Sequence, residues 1–356
     1  LADAQLEEQR VVGAFLAARD QCGVHGGESR RELPMFLRTM LSGGSLPALL
    51  LGLLVLSIGA WTSLESDRFL SLLNLRFFLA ALVPVALVAM AQLNVLLVGG
   101  FDVSVGALMS LCVVGASFWL GTGEAWLGVP MGVLALLLLG VSVGLVNSAL
   151  VKGLSIPSII ATIATMSILQ GVALTLRPVP GGSVRGDFAE LVNARWEALP
   201  WAIVAVFVVA VLGDLWLNRS ASGLALRATG YHPEAARRNG VASDAIQIRA
   251  YLLSALFASL AGLALAARVR VGSPTVGAEF ALGSFAACVL GGASVWGGKG
   301  SFIGALGGAA LLALTVNVLP FLQLNTAFGM ILAGGLTLLA IMLYSVASRF
   351  TGARAG

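Results

Sequence analysis

The sequence offers few residues that could do covalent chemistry. Its two histidines, His25 and His232, stand in polar segments far apart along the chain, and the HExxH and GxSxG patterns of metalloproteases and hydrolases are both absent. The three cysteines, Cys22, Cys112 and Cys288, lack the spacing of a metal or redox site. The sequence therefore predicts no enzyme active site, no metal site and no cofactor bound by this chain.

One glycine-rich stretch invites comparison with a phosphate-binding loop. It reads GASVWGGKGS from Gly292 to Ser301. A phosphate-binding loop follows a strand and places Ser or Thr directly after its lysine. Here Gly300 separates Lys299 from Ser301, and the surroundings are apolar and helical in pattern. The sequence therefore disfavours ATP binding by this chain.

A charged segment between two apolar stretches carries a more informative spacing. Pro233 is a favourable first helical residue, and Glu234 falls in the first turn, where a negative charge suits the helix dipole. Arg237 and Arg238 stand towards the end, and Gly240 supplies a stop. This pattern predicts an exposed helix of about two turns. Its function is either that of a solvated connector or that of a docking site for a soluble partner.

The elements that must position these residues are membrane-spanning helices. Of the 356 residues, 58% are hydrophobic and 11% are charged, and the mean hydropathy is +0.95. About 20 apolar residues cross a bilayer as a helix, and such stretches recur along nearly the whole chain. A β-barrel would instead alternate polar and apolar residues in short segments. We therefore predict an all-α, polytopic helical membrane protein.

We predict about ten transmembrane helices. The eighth is interrupted by glycines, which make a regular helix costly, so this span is predicted to be broken or re-entrant. The predicted spans are residues 46–64, 77–98, 104–121, 126–149, 156–176, 200–217, 249–268, 281–297, 301–320 and 327–346.

The distribution of charge predicts the orientation. The net charge of +4 comes from basic residues in the connections between spans, as the positive-inside rule requires, and does not indicate nucleic-acid binding. An even number of spans with a basic first segment places both termini in the cytoplasm. We predict a cytoplasmic polar segment over 1–45, either an ordinary N-terminal segment or the tail of an upstream domain. A transmembrane domain then covers 46–348, with a cytoplasmic loop at 218–248 and a cytoplasmic tail at 349–356.

Polar side chains within the apolar stretches are candidates for a translocation pathway. Most such side chains hydrogen-bond between helices, and a minority contact a transported solute. We predict Asn94, Thr162 and Thr165 as pathway residues. The other polar residues of this kind are Gln92, Asn147, Gln170 and Asn317.

A second candidate lies at the start of the third span. Asp102 and Ser104 follow Gly99 and Gly100, and either side chain can cap the N–H groups of the next helix. In the functional alternative, this helix N-terminus points its positive end at a substrate oxygen. The stretch 98–106 also resembles 290–298, which raises the possibility of duplicated halves.

Ionisable residues are missing from the depths of the predicted spans, since Asp102 and Asp214 both fall near predicted ends. Ion-driven carriers usually couple through buried ionisable groups. The pattern therefore disfavours an ion-coupled secondary carrier, which stays as the alternative from a different functional class. It favours an uncharged solute.

Four stretches in this order resemble the permease family of ABC sugar importers of the ribose, xylose, arabinose and autoinducer-2 type. They are GGFDVSVGA from Gly99, IPSIIATIATMSILQG from Ile156, ALRATGYHPEAARRNGV from Ala225 and LGGASVWGGKGSFIGALGG from Leu290. Taken in this order, they carry the resemblance over essentially the whole chain from the first span to Tyr344. Related permeases for nucleosides and branched-chain amino acids share parts of the pattern, so these solutes stay as alternatives to a monosaccharide.

The resemblance implies a permease of the bacterial cytoplasmic (inner) membrane that forms the translocation pathway. Its implied partners are a second permease copy or paralogue, two ATPase domains that bind ATP and Mg, an extracytoplasmic solute-binding protein and the lipid bilayer. The ATPase-coupling helix of the family would fall on Glu234, Ala235, Ala236 and Gly240. The family's Asp-Leu-Ser corresponds here to Asp102, Val103 and Ser104.

Overall fold

The computed structural model describes residues 45–120, 125–197 and 199–325, with scattered residues between 327 and 342. Its helices are α1 (Ser45–Glu65), α2 (Leu72–Leu97), α3 (Ser104–Trp119), α4 (Ala125–Ser148), α5 (Ser158–Leu176), α6 (Gly186–Val192), α7 (Trp201–Arg219), α8 (Ala221–Tyr231), α9 (Pro233–Arg238), α10 (Ser243–Val269), α11 (Ala278–Leu290) and α12 (Phe302–Val318). A π-helical turn, Ala149–Gly153, extends α4. One antiparallel hairpin, β1 (Arg195–Trp196) with β2 (Leu199–Pro200), precedes α7. The described part of the chain is therefore mostly helical, as predicted.

Among the residues that the structure describes, five helices are long and apolar enough to cross a membrane. They are Leu72–Leu97, Gly128–Gly153, Ser158–Leu176, Trp201–Arg219 and Ser243–Val269. Three further apolar helices, α3, α11 and α12, have 10 to 17 residues. Length and composition thus support a multi-pass membrane protein, and the short apolar helices are those next to the glycine-rich breaks.

Helix α10 lies at the centre of the fold and packs against α2, α3 and α4. Glycines permit this close approach. A Cβ atom at Gly140 would overlap the Ser259 hydroxyl of α10, and one at Gly144 would lie 3.0 Å from the Leu252 Cα atom. On the other side of α10, a Cβ at Gly262 would lie 2.6 Å from the Cys112 Cβ atom of α3. The GxxxG step at 140 and 144 therefore brings helix backbones together.

Two glycine-rich breaks interrupt the helices. Helix α2 ends at Leu97 and Gly99 has a φ of +76°, while α11 ends at Leu290 and Gly292 has a φ of +85°. Such a φ is easily reached only by glycine, so each helix stops there. We call residues 98–103 the Asp102 turn and residues 291–301 the glycine loop. The two breaks meet, because the Gly298 N–H donates to the Leu97 carbonyl at 3.0 Å.

Several predicted boundaries differ from the observed ones. The span 281–297, predicted to be interrupted, is helical only up to Leu290, where α11 ends. The predicted loop 218–248 contains α8, α9 and the start of α10, which begins six residues before the predicted span. The predicted loop between the fifth and sixth spans contains α6 and the hairpin. Residues 1–44, the tail 349–356 and most of the predicted tenth span lie outside the described residues.

Candidate functional site

The predicted docking helix is present as α9. Proline occupies its first position, and the His232 Nδ1 atom before it accepts a hydrogen bond from the Ala235 N–H at 3.2 Å. This cap satisfies one of the N–H groups that a helix start leaves free. Gly240 follows with a φ of +80°. The proline start and the glycine stop are thus confirmed, and the histidine cap is a feature that the sequence did not reveal.

Helix α9 presents most of its predicted coupling residues to the surface. Glu234, Ala235, Arg237, Arg238 and Gly240 are exposed, Pro233 is half-buried, and Ala236 is buried against the rest of the fold. The Glu234 and Arg237 side chains form an exposed ion pair at 3.1 Å. A helix that is anchored through one small residue and exposed on its charged face can bind a soluble partner.

An ionic cluster joins α9 to two neighbouring elements. The Asp244 carboxylate at the start of α10 lies 2.7 Å from an Arg237 nitrogen and 3.0 Å from the Lys152 Nζ atom. Lys152 belongs to the π-helical turn after α4. The sequence indicated Lys152 and Arg237 only as positive charges in connecting segments. Their shared acidic partner became visible only in the folded chain.

A second set of predicted residues forms a buried polar cluster around Asp102. The Asp102 Oδ1 atom accepts hydrogen bonds from the Ser104 N–H at 2.9 Å and the Ser104 hydroxyl at 2.6 Å. The Asn147 amide of α4 donates to the Ser104 Oγ atom at 2.8 Å, and the Ser254 hydroxyl of α10 donates to the Asp102 Oδ2 atom at 3.3 Å. The predicted capping role of Asp102 is confirmed, since its carboxylate accepts from the first N–H of α3. It also binds Ser254 of α10, and α4 joins the cluster through Ser104.

Thr162 on α5 extends this cluster to a fourth helix. Its Oγ1 atom accepts a hydrogen bond from the Val103 N–H at 3.2 Å, and its hydroxyl donates to the Ser158 carbonyl at 2.8 Å. The Ser158 hydroxyl in turn accepts from the Phe101 N–H at 3.2 Å. Thr162 therefore holds the backbone of the Asp102 turn, and Ser158 is a partner that the sequence did not single out.

The remaining two predicted pathway residues make different contacts. The Asn94 amide donates to the Met90 carbonyl at 2.7 Å, and the Thr165 hydroxyl donates to the Ala161 carbonyl at 3.1 Å, each within its own helix. Asn94 is fully buried, and its Oδ1 atom has no hydrogen-bond partner. The structure therefore groups Asp102, Ser104 and Thr162 and leaves Asn94 and Thr165 outside their hydrogen-bond network.

Asp102 and Asp214 differ in how deeply their side chains are buried. Both stand near helix ends, as the sequence indicated, but Asp102 is only 1% exposed. Asp214, near the end of α7, accepts from the Ser301 hydroxyl at 2.7 Å and from the Phe302 N–H at 2.7 Å. Asp214 thus caps α12 from another helix, a role that the sequence did not predict. Within the ranges that the structure describes, no group of three or more His, Cys, Asp or Glu residues could hold a metal ion.

Comparison with known proteins identifies the family. A family model described as a branched-chain amino acid transport system / permease component matches residues 74–341. The chain belongs to this permease family. The autoinducer 2 import system permease protein LsrC of Shigella flexneri is 33% identical over 283 residues, which cover 78% of this chain and 80% of that protein.

Further relatives carry the same description. LsrC of Yersinia enterocolitica is 31% identical over 298 residues, covering 82% of this chain and 80% of the relative. LsrC of Photorhabdus luminescens is 31% identical over 295 residues, covering 82% of this chain and 87% of the relative. No solved structure matches the chain. The permease is accordingly a multi-pass inner-membrane transport subunit of an ABC importer and not an enzyme. The Asp102 cluster, the glycine loop and α9 all lie within the matched range.

Proposed function

We propose that the permease carries autoinducer 2 or a similar monosaccharide-like solute, and that its ATPase partner docks on α9. The docking proposal rests on the exposure, charge and anchoring of this helix. It is exposed and charged, it is anchored by Ala236, and it is tied through Asp244 to α10, the central helix of the fold. A partner that pushes on α9 therefore acts directly on the start of the central helix.

The charge of Glu234 provides the test of docking. Glu234→Lys reverses an exposed charge and removes the ion pair with Arg237, so the fold is retained while the docking surface changes sign. We expect the ATPase subunits to co-purify poorly with this variant and solute uptake to fall. The matched control is Glu190→Lys, which reverses an exposed charge on α6. Full ATPase association in Glu234→Lys would refute docking at α9.

The proposed solute follows from the relatives and from the chemistry of the core. The relatives are named as permeases for the import of autoinducer 2. The described buried polar groups are mostly hydroxyls and amides, which suit a neutral hydroxylated molecule. The family description names branched-chain amino acids, which makes these the competing solute class.

Uptake measurements distinguish the two classes. Vesicles that contain the complete importer and its binding protein would be supplied with labelled autoinducer 2, ribose or leucine. We expect ATP-dependent uptake of the first two and none of leucine. Leucine uptake would favour the competing class, and uptake driven by an ion gradient without ATPase subunits would refute the importer assignment altogether.

We also propose that Asp102, Ser104, Thr162, Asn94 and Thr165 lie along the translocation pathway. Support comes from the meeting of four helices at Asp102 and from the irregular backbone beside it, which a membrane tolerates only where protein or a water-filled cavity satisfies its polar groups. Asp102→Asn keeps the shape and removes the negative charge. We expect uptake to fall while ATPase association is retained. Asp67→Asn, an exposed position, is the control, and unchanged uptake in Asp102→Asn would contradict the proposal.

The membrane arrangement is part of the same proposal. It comprises about ten spans within 46–348, a broken or re-entrant segment at the glycine loop, a cytoplasmic loop at 218–248, and cytoplasmic segments at 1–45 and 349–356. In a variant without native cysteines, Ala235→Cys should react with a membrane-impermeant thiol reagent only after permeabilisation. Glu190→Cys should react in intact spheroplasts. The reverse labelling pattern would overturn the orientation.

The proposed partners complete the importer. They are two ATPase domains that carry ATP and Mg, an extracytoplasmic solute-binding protein and a second permease copy or paralogue. The relatives' names describe a permease within an import system, which supports a machine of several parts. Purification of the complex and measurement of its subunit ratio would test this composition. A single permease copy in a transport-competent complex would contradict the pairing.

A further inference from the structure

The docking helix is not an independent element. His232 alone separates α8 from α9, and it belongs to both helix ends. Its N–H donates to the Ala228 carbonyl at 3.1 Å, and its ring caps α9. The segment from Ala221 to Arg238 therefore moves as one unit, so a displacement at α9 also displaces α8.

The inner surface of α8 lies directly on the glycine loop. A Cβ atom at Gly230 would overlap the Leu97 carbonyl oxygen and would lie 2.5 Å from the Gly298 nitrogen. The Tyr231 ring covers Gly298, where a Cβ atom would lie 2.7 Å from ring carbons. At Gly230, the backbone of α8 lies against the backbones of Leu97 and Gly298 with no side chain between them. Movement of α8 therefore cannot be absorbed by side-chain rotation.

Arg227 supplies the one side-chain hydrogen bond that the structure describes from α8 to this loop. Its guanidinium donates to the Gly300 carbonyl at 3.0 Å. The group is half-buried, and its Nε atom is buried without a hydrogen-bond partner. A partly buried cation whose donors are incompletely used is unfavourable for stability alone, which points to a use in transport.

The glycine loop in turn contacts the Asp102 turn. The Gly298 N–H donates to the Leu97 carbonyl, and a Cβ atom at Gly297 would lie 2.8 Å from the Gly99 nitrogen. At its other end, where the loop leads into α12, it is fixed to α7 by Asp214. The loop therefore lies between α8 and the segment that leads into the buried polar cluster.

We propose that Arg227 is a positioning residue that links the ATPase-docking unit to the glycine loop, so that a displacement of α9 reaches the Asp102 turn. This inference rests on the proposed docking at α9. Arg227 acts through the loop and contacts neither the solute nor the ATPase.

The test uses the complete importer in vesicles, with ATPase subunits, binding protein and labelled autoinducer 2. Three quantities are measured: ATPase co-purification, ATP hydrolysis stimulated by the loaded binding protein, and solute taken up per ATP hydrolysed. For Arg227→Gln we expect unchanged co-purification and about tenfold less uptake per ATP, the fold-change that matches loss of one charge-assisted hydrogen bond. Arg227→Lys retains a cationic donor and should restore most of the coupling.

Lys299→Gln is the matched control. Lys299 is an exposed cation in the same loop, and its side chain makes no hydrogen bond or ion pair within the part of the chain that the structure describes. Uptake per ATP in the Lys299→Gln variant should equal that of the parent protein. If Arg227→Gln does not fold, Tyr231→Ala removes the exposed ring over Gly298 and should lower the same ratio.

The outcomes separate this inference from the docking proposal. Loss of ATPase co-purification in Arg227→Gln would overturn the link, because the residue would then serve docking or folding. Parental uptake per ATP in Arg227→Gln, or in Tyr231→Ala if Arg227→Gln does not fold, would overturn it as well. Docking itself fails only if Glu234→Lys keeps full ATPase association.

Discussion

The two ends of the central helix α10 are held together in different ways. Ser243 begins this helix beside α9, α8 and the glycine loop, which together form the coupling end. Val269 ends it roughly 40 Å away, since 27 residues each rise about 1.5 Å. The segment 177–200 packs there against residues 267–272, which together form the opposite end.

The opposite end is fastened by paired and charge-assisted contacts. Gly181 and Gly272 exchange two backbone hydrogen bonds of 3.0 Å each. The Arg177 guanidinium donates to the Ser117 hydroxyl at 2.7 Å and lies 4.1 Å from the centre of the Phe118 ring. Such contacts reinforce one another and hold a connecting segment in a single position.

The coupling end depends on close glycine contacts and exposed ion pairs. Gly230 lies on Gly298, and Asp244 binds Arg237 and Lys152 at the surface. Exposed ion pairs contribute little stability. On the proposals above, we expect the opposite end to behave as a rigid cap and the coupling end to transmit movement through its backbone contacts.

The largest effect at the coupling end is expected when a side chain is introduced at Gly230. We expect Gly230→Ala to destabilise the protein by about 3 kcal/mol, because the added methyl group overlaps the Leu97 carbonyl and well-packed interiors resist extra atoms. The apparent melting temperature in detergent should fall, and uptake should be lost. Gly171→Ala in α5 is the control, since its Cβ atom meets nothing within 4 Å. Equal melting temperatures for the two variants would contradict the packing account.

The opposite end should respond to loss of Arg177. Arg177→Gln removes the hydrogen bond to Ser117 and the contact with Phe118, with an expected loss of about 2 kcal/mol. The melting temperature should fall, while uptake per ATP in the surviving protein stays at the parental value. Arg195→Gln, an exposed position, is the control. A large drop in uptake per ATP would show that the opposite end is not a passive cap.

A smaller effect is expected where Asp214 caps α12. Asp214→Asn retains an oxygen acceptor but loses the charge that strengthens the bonds to Ser301 and Phe302, at a cost of about 1 kcal/mol. Melting in detergent and uptake per ATP should both fall modestly, because the glycine loop ends at this cap. An unchanged melting temperature would contradict a contribution of this charge-assisted cap to stability.

The weakest effect is expected in the exposed ionic cluster. Lys152→Gln removes one of two cations on Asp244 and should cost about 0.5 kcal/mol at low salt. Melting temperatures measured across a salt series should converge with those of the parent protein as salt screens the pair. A difference that persists at 1 M salt would show that the cluster is more deeply involved in the fold than its exposure indicates.

The coarse fold and the position of α9 could be predicted because their signals are local. Apolar length marks α2, α5 and α7 in the sequence, and proline and glycine mark both limits of α9. The start of α10 was missed because its first turns are polar, so hydropathy placed the boundary too late. Helix α6 was missed because its short sequence lies among prolines and glycines, which favour loops.

The sequence by itself determined the long apolar helices, the glycines that end α2 and α11, and the charged residues of α9. These features depend on residues within a turn or two of one another. Only the tertiary structure decided that Gly230 touches Leu97, that Asp214 caps α12 and that Lys152 shares Asp244 with Arg237. These partners stand some 85 to 135 positions apart in the chain. Such contacts are set by how whole helices pack, and a single sequence carries no local signal of that choice.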